Sequence, residues 1–130
     1  MKPSILIVDD EAVIAISWEY LLKDEGYKVK TALNGKEAIE TLNDMRPDIV
    51  FTDLFMPGMD GIELCKRIKA IYPETEVVLI SGNPHQGQDV QKDFINAGGI
   101  GDILIKPVSV ETLIEIIEDI NDKKNKADFL

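Results

Sequence analysis

The hydrophobic residues of this chain form short apolar runs that alternate with amphipathic segments. The apolar runs predict five strands, and the segments in which apolar residues recur every three or four positions predict five helices. The predicted strands span residues 4–8, 27–32, 48–52, 76–80 and 102–105. The predicted helices span about 11–25, 36–44, 61–71, 90–97 and 109–121. This regular alternation indicates an α/β domain built from five strand–helix units.

Four of the predicted strands are continuously apolar, which is typical of strands that are covered on both faces. The pattern therefore predicts a doubly wound parallel sheet, whose ligands bind outside the carboxyl ends of the strands. At the helix ends, Gly26 stops the first helix and Ser109 is the predicted N-cap of the last. We expect one domain over 1–122, followed by a short polar tail or the start of a linker over 123–130.

Composition excludes several classes of protein. The chain has 130 residues, a net charge of −10 and a single cysteine, Cys65. A lone cysteine excludes a disulfide framework or a structural zinc site of clustered thiolates, and fits a cytoplasmic protein. The acidic charge argues against direct nucleic-acid binding, and the apolar run 5–8 is too short for a membrane span. We expect no membrane partner.

Three carboxylates are predicted to meet at the carboxyl edge of the sheet. Asp9 and Asp10 follow the first strand and Asp53 follows the third. Grouped carboxylates repel one another unless a cation lies between them, and oxygen ligands favour a hard ion such as Mg²⁺, with Mn²⁺ as a second candidate. The competing interpretation is that Asp9 or Asp10 only caps the first helix, which leaves Asp53 unexplained.

Asp53 and two further residues at this edge, Lys106 and Ser81, suit phosphoryl chemistry. A carboxylate such as Asp53, placed before the Pro57-Gly58 turn, can attack phosphorus to form an aspartyl phosphate. Lys106 ends an apolar strand, where an ammonium needs an anionic partner, either Asp53 or a phosphate. Pro107 after it restricts the backbone and permits a cis peptide bond. The Ser81 hydroxyl can face a phosphoryl oxygen, although serine before glycine is also an ordinary turn residue.

In order and spacing these segments resemble the receiver domains of two-component signalling, the CheY-like family. The resemblance covers residues 3 to about 121 and is carried by four motifs. They are Ile-Leu-Ile-Val-Asp9-Asp10-Glu11, Asp48-Ile-Val-Phe-Thr-Asp53-Leu-Phe-Met-Pro57-Gly58-Met-Asp60-Gly61, Val-Val-Leu-Ile-Ser81-Gly82 and Lys106-Pro107. It implies a flavodoxin-like fold with strand order 2-1-3-4-5 and five helices.

The resemblance also implies a role for each site residue. Asp53 would be the phosphoacceptor, and Mg²⁺ would be bound by Asp10, Asp53 and the Phe55 backbone carbonyl, assisted by Asp9. Ser81 would follow the phosphoryl group and Lys106 would contact it. A histidine kinase or histidine phosphotransfer protein would be the donor, an unidentified effector would receive the signal, and the domain would not be a conventional enzyme.

Two departures from the family pattern concern the switch that would follow phosphorylation. Many receivers carry Tyr or Phe three positions before the lysine, where this chain has Ile103. The segment between Ser81 and Lys106 is also longer than usual in the family, and 83–88, which includes the only histidine, His85, is the predicted site of the extra length. Phe55, two positions after Asp53, is placed to shield an acyl phosphate from water.

Helix faces suggest surfaces for partners. On the first helix, Ile14, Trp18 and Leu21 are predicted to face the core, whereas Ile16 and Tyr20 lie on another face. That second face is either a docking patch for the phosphodonor or part of a wide buried stripe. The last helix should bury Leu113, Ile116, Ile117 and Ile120 and expose acidic residues. Because Lys92 is the main basic residue of the fourth helix, these two helices offer little complementary charge to each other across a dimer. We therefore expect a monomer or a different kind of dimer.

Three rival functions remain at this point. A flavin-phosphate site in the first loop conflicts with the repulsion that Asp9, Asp10 and Glu11 exert on a phosphate. A haloacid-dehalogenase-type phosphatase needs a second aspartate two positions after its nucleophile, and Asp53 is followed there by Phe55. A phosphorylation-independent interaction module on a receiver fold is the third possibility.

Overall fold

A computed structural model describes residues 2–82, 87–101 and 103–128. Its strands are β1 (Ser4–Val8), β2 (Lys28–Ala32), β3 (Ile49–Asp53), β4 (Glu76–Ser81) and β5 (Leu104–Ile105). Its helices are α1 (Ala12–Asp24), α2 (Gly35–Asp44), α3 (Gly61–Ile71), α4 (Gly87–Asn96) and α5 (Val110–Asp128). The strands and helices alternate as predicted, whereas Asn83, His85 and Asp102 lie outside the described residues.

The five strands form one parallel sheet in the order β2-β1-β3-β4-β5, which confirms the predicted fold class. The central strand β3 is buried along its whole length because helices cover both faces of the sheet. One face packs against α2, α3 and α4 through residues such as Leu42, Leu64 and Phe94. The other packs against α1 and α5 through Trp18, Leu22, Leu113 and Ile117.

The structure corrects the predicted face of α1. Ala15, Trp18 and Leu22 are its buried residues, whereas Leu21, predicted for the core, is 41% exposed. Trp18 and Leu22 are four positions apart and lie on one face of the helix, so the buried stripe passes beside Leu21 rather than through it. The prediction for α5 is better, since Leu113, Ile117 and Ile120 are buried.

Element ends also differ from the sequence prediction. β5 is reduced to Leu104 and Ile105, and α5 continues past its predicted end at Asn121 to Asp128. Its extra turns carry Lys124, whose ammonium donates a 2.8 Å hydrogen bond to the Glu74 carbonyl. Ser109 caps α5 as predicted, because its hydroxyl accepts a 3.2 Å hydrogen bond from the Thr112 amide. In the part of the chain that the structure describes, no helix is long and apolar enough to cross a membrane.

Candidate functional site

Parallel strand register brings the predicted site residues to one edge of the sheet. Asp53 ends β3 and pairs in register with Ile80 of β4. Ser81 ends β4 and pairs with Ile105, the residue before Lys106. Asp9 follows β1 directly and its amide donates a 3.1 Å hydrogen bond to the Ala32 carbonyl of β2. Four strand ends therefore deliver side chains to one place.

The Lys106 ammonium lies among three carboxylates. It is 2.9 Å from Asp9 Oδ2, 3.2 Å from Asp53 Oδ2 and 3.7 Å from Glu11 Oε1. The first two contacts are hydrogen-bonded ion pairs, and the third is an ion pair beyond hydrogen-bond length. The sequence predicted Asp53 as a partner of this lysine. The shorter contact to Asp9 was not predicted.

Asp9 is held from both of its carboxylate oxygens. Its Oδ2 accepts from Lys106, and its Oδ1 accepts a 2.9 Å hydrogen bond from the Glu11 amide, which precedes α1. The side chain is buried and its orientation is fixed by these two donors. Asp9 therefore links the start of α1 to the strand-end lysine, in addition to any role at a metal.

Oxygen atoms of Asp9, Asp10 and Asp53 all lie within 4.8 Å of one another, one from each carboxylate. Asp9 and Asp53 are buried, and Asp10 is exposed. An all-oxygen donor set that is open to solvent on one side suits Mg²⁺, which keeps several of its waters and takes few carboxylates. The residues at this edge of the sheet therefore fit the predicted metal.

Burial and charge perturb the two groups at the centre of the site. Burial raises the pKa of the Asp53 carboxyl; Lys106 opposes that shift, and Asp9 and Asp10 add to it. Burial alone would lower the pKa of Lys106, but hydrogen bonds and charge from Asp9 and Asp53 outweigh it and raise that pKa. The lysine is therefore held as a cation, and Asp53 carries its negative charge at a cost that a second cation would relieve.

The loop after Asp53 is fixed by backbone contacts. The Leu54 amide donates a 2.9 Å hydrogen bond to the Ile80 carbonyl, and the Gly61 amide donates one of 2.9 Å to the Leu54 carbonyl. A Cβ at Gly61 would lie 2.4 Å from the Asp53 carbonyl oxygen, so this close approach requires glycine. The predicted turn is present, with Gly58 at a φ of +85°.

The remaining predicted site residues lie around this centre. Phe55, two positions after Asp53 in the sequence, is 52% exposed. Ser81 is buried at the end of β4. The peptide bond between Lys106 and Pro107 is cis, one of the two forms that the sequence permits. Ile103, at the position where many receivers carry an aromatic residue, packs against the cluster on the α2, α3 and α4 face.

Glu11 is the site residue that the sequence analysis did not assign. The only sequence signal for it is its place as the third acid in the run Asp9-Asp10-Glu11. An acidic residue at this place is also common in the first turn of a helix, where it interacts favourably with the helix dipole, so its position alone does not indicate a site residue. Only the tertiary fold shows that its carboxylate turns toward Lys106.

An apolar surface lies on α1, which begins beside this edge of the sheet. Ile16 is 59% exposed and Tyr20 is 72% exposed, so the interpretation of this face as a wide buried stripe is wrong. Val13, which the sequence analysis did not include, is also exposed. We call Val13, Ile16 and Tyr20 the α1 patch. Large apolar side chains at helical spacing on a solvent-facing surface mark it as a candidate contact for another protein.

Comparison with known proteins places these observations in a family. Residues 5–118 match the model of the response regulator receiver domain. The chain is 36% identical over 114 residues to the phosphate regulon transcriptional regulatory protein PhoB of Rhizobium meliloti (strain 1021). That match covers 88% of this chain and 50% of PhoB, so the chain spans about half the length of this curated relative.

Solved structures show the same fold. The chemotaxis protein CheY4 of Vibrio cholerae superposes with a TM-score of 0.84 at 28% identity, over 92% of this chain and 99% of the other. A CheY-like response regulator receiver domain protein from Methanospirillum hungatei JF-1 gives a TM-score of 0.86 at 26% identity, over 97% of this chain and 99% of the other. The family model, the relative and the shared fold agree, and this chain belongs to the response regulator receiver domain family of two-component systems.

Proposed function

We propose that this chain is a phosphoacceptor receiver, in which Asp53 accepts a phosphoryl group in a Mg²⁺-dependent reaction. The observation that carries the proposal is the convergence of Asp53 with Asp9, Asp10 and Lys106 at one strand edge. A carboxylate among other carboxylates and beside one lysine is suited to a reaction that brings a phosphoryl group and a divalent cation together.

Asp9, Asp10, Asp53 and the Phe55 backbone carbonyl would hold the metal, with Mg²⁺ favoured and Mn²⁺ as the alternative. The bound cation would neutralise negative charge on the transferring phosphoryl group. The protein's own residues would orient the ligands of the metal. Asp9 is oriented by Lys106 and by the Glu11 amide, so it presents its oxygens without a change of rotamer.

In the proposed transfer, an Asp53 carboxylate oxygen forms a bond to phosphorus while the bond from phosphorus to the donor's imidazole nitrogen breaks. The histidine leaves with the bonding electron pair, and no net oxidation occurs. Lys106 would move from Asp53 Oδ2 to an oxygen of the new acyl phosphate, because that oxygen offers the lysine a stronger anionic partner. The Ser81 hydroxyl would donate to another phosphoryl oxygen, and its position at the end of β4 supports that role.

The phosphodonor would be a histidine kinase or a histidine phosphotransfer protein that docks on the α1 patch. This part of the proposal is supported by the exposure of Ile16 and Tyr20 on a helix that starts beside Asp9 and Asp10. Tyrosine is a common anchor of protein interfaces, and exposed apolar neighbours such as Ile16 extend the contact surface. The acidic net charge favours an effect on DNA or RNA through other proteins or domains, and a cytoplasmic location is part of the same proposal.

For domain organisation we propose a receiver over 1–122, with 123–130 as a tail or the start of a linker that begins inside the helical continuation of α5. The alternative function, an interaction module that is independent of phosphorylation, is favoured by Ile103, because the family's usual aromatic residue is missing there.

The decisive experiment is intact-mass detection of phosphorylation by acetyl phosphate, with Mg²⁺ or with a chelator. The native chain should gain one phosphoryl group only with Mg²⁺, and Asp53→Asn should gain none. Asp48→Asn is a control for the removal of one carboxylate, since Asp48 lies at the opposite edge of the sheet, where its Oδ2 accepts a 2.8 Å hydrogen bond from the Ser4 amide. No gain in the native chain under any condition would favour the interaction module.

A further inference from the structure

Lys106 has three carboxylate partners, and they are not equivalent. Asp9 and Asp53 belong to the group of carboxylates that can hold a metal, whereas Glu11 does not. Glu11 Oε1 is 3.7 Å from the ammonium, and the Glu11 side chain is 62% exposed. A bound cation would therefore compete with Lys106 for Asp9 and Asp53. It would not compete for Glu11, which lies outside the group of carboxylates that can hold the metal.

We propose that Glu11 is a positioning residue for Lys106, holding the ammonium at the rim of the site while Asp9 and Asp53 serve the metal. The inference rests on the proposed function, since it concerns competition between Lys106 and Mg²⁺ for the same carboxylates. A lysine without Glu11 would keep its full attraction to Asp9 and Asp53. When Glu11 is present, Lys106 can lose part of its contact with Asp9 and Asp53 at a lower cost in free energy, because the Glu11 carboxylate still compensates its charge.

The geometry supports this assignment in two ways. The Glu11 amide donates to Asp9 Oδ1, so the backbone of Glu11 is fixed to the site even though its side chain reaches into solvent. A lysine ammonium has three N–H donors, and two of its hydrogen bonds go to Asp9 and Asp53 at 2.9 and 3.2 Å, so its third donor can face Glu11. The distance of 3.7 Å between Lys106 Nζ and Glu11 Oε1 permits an ion pair, and this distance can shorten when the contacts of Lys106 with Asp9 and Asp53 weaken.

The test is a double-mutant cycle on Mg²⁺ affinity, measured by titration calorimetry with the native chain, Glu11→Gln, Lys106→Met and the double variant. Glu11→Gln removes a negative charge and so weakens Mg²⁺ binding in either background. In the background with Lys106 it also removes the lysine's alternative partner. We expect the loss of affinity there to exceed the loss in the Lys106→Met background by roughly two- to fivefold, as for an exposed ion pair.

Matched variants separate positioning from general charge. Glu111→Gln removes an exposed carboxylate in the first turn of α5 and should give the same small loss in both backgrounds. Glu11→Asp keeps the charge and should recover part of the native affinity. The Glu11 side chain makes no cap hydrogen bond to α1, so this recovery would report its charge beside Lys106 rather than helix capping. Circular dichroism and urea midpoints confirm that each variant is folded.

The outcomes distinguish the two proposals. Equal losses from Glu11→Gln in both backgrounds, with Mg²⁺ binding intact in the native chain, would overturn the role of Glu11 and leave the receiver chemistry in place. Absence of Mg²⁺ binding in the native chain, together with no metal-dependent gain of phosphate, would overturn both. An excess loss in the presence of Lys106, partly recovered by Glu11→Asp, would support the positioning role.

Discussion

Lys106→Met should destabilise the folded chain strongly in the presence of a chelator and much less in Mg²⁺. The substitution leaves the buried Asp9 and Asp53 carboxylates without their shared cation. Removing one partner of a buried ion pair costs about 3–5 kcal/mol, and the partial solvent access of this lysine reduces the expected loss to about 2–4 kcal/mol.

Added Mg²⁺ should reverse much of this loss. A ligand that binds only the folded state stabilises it by RT ln(1 + [L]/Kd), which is about 2.7 kcal/mol at one hundred times Kd. The Lys106→Met variant has no lysine competing for Asp9 and Asp53, so its affinity for Mg²⁺ should exceed that of the native chain. The difference in the free energy of unfolding between Lys106→Met and the native chain should therefore decrease as the Mg²⁺ concentration rises.

Urea unfolding followed by the fluorescence of Trp18, the only tryptophan and a buried residue, measures both effects. Lys123→Met is the matched control, because Lys123 pairs with Asp119 at 3.1 Å on the exposed surface of α5. That control should change stability by at most about 1 kcal/mol, with no dependence on Mg²⁺. If Lys106→Met costs no more than Lys123→Met in chelator, the reasoning about an uncompensated carboxylate cluster is wrong.

Three other predictions concern separate parts of the molecule. Ile16→Glu combined with Tyr20→Ala should slow phosphotransfer from a cognate histidine protein at least tenfold and leave phosphorylation by acetyl phosphate unchanged; equal rates with the protein donor would exclude docking there. Phe55→Asn should shorten the lifetime of phosphorylated chain in a phosphate-release assay, because the exposed ring no longer shields the acyl phosphate, and an unchanged rate would refute shielding. Burial raises the pKa of the Cys65 thiol to about 11, so the folded state binds this proton more tightly than the unfolded state does. Cys65 should therefore contribute a loss of stability as pH rises from 9 toward 11, and a thiol reagent at pH 8 should label it only in urea; rapid labelling of the folded chain would contradict its burial.

Much of the fold could be predicted because its strands are buried on both faces. β1, β3 and β4 each contain an uninterrupted apolar run of three or four residues, and such runs have few other stable arrangements than a parallel sheet between helices. Where the sequence prediction was wrong, tertiary contacts decided the outcome. α5 continues to Asp128 across residues that are locally polar, and Lys124 binds a carbonyl 50 positions earlier in the chain.

The site was predictable in composition but not in its internal pairing. The rule that ligands gather at the carboxyl ends of parallel strands brings Asp9, Asp53 and Lys106 together from distant parts of the chain. It does not state which carboxylate the lysine prefers, because that depends on tenths of an ångström in register and rotamer. The 2.9 Å contact to Asp9 and the approach of Glu11 are therefore results of the structure alone.

The charges at this edge of the sheet are only partly compensated. A single lysine compensates several carboxylates, and it does so incompletely, since burial and the neighbouring acids still raise the pKa of Asp53. Any added cation then relieves repulsion that is already present, which favours its binding without a rearrangement of the sheet. A phosphoryl group on Asp53 would in turn compete for the lysine that Asp9 and Glu11 now hold. Under the proposed function, phosphorylation would therefore change contacts inside the domain at Lys106, which now bridges Asp9 and Asp53.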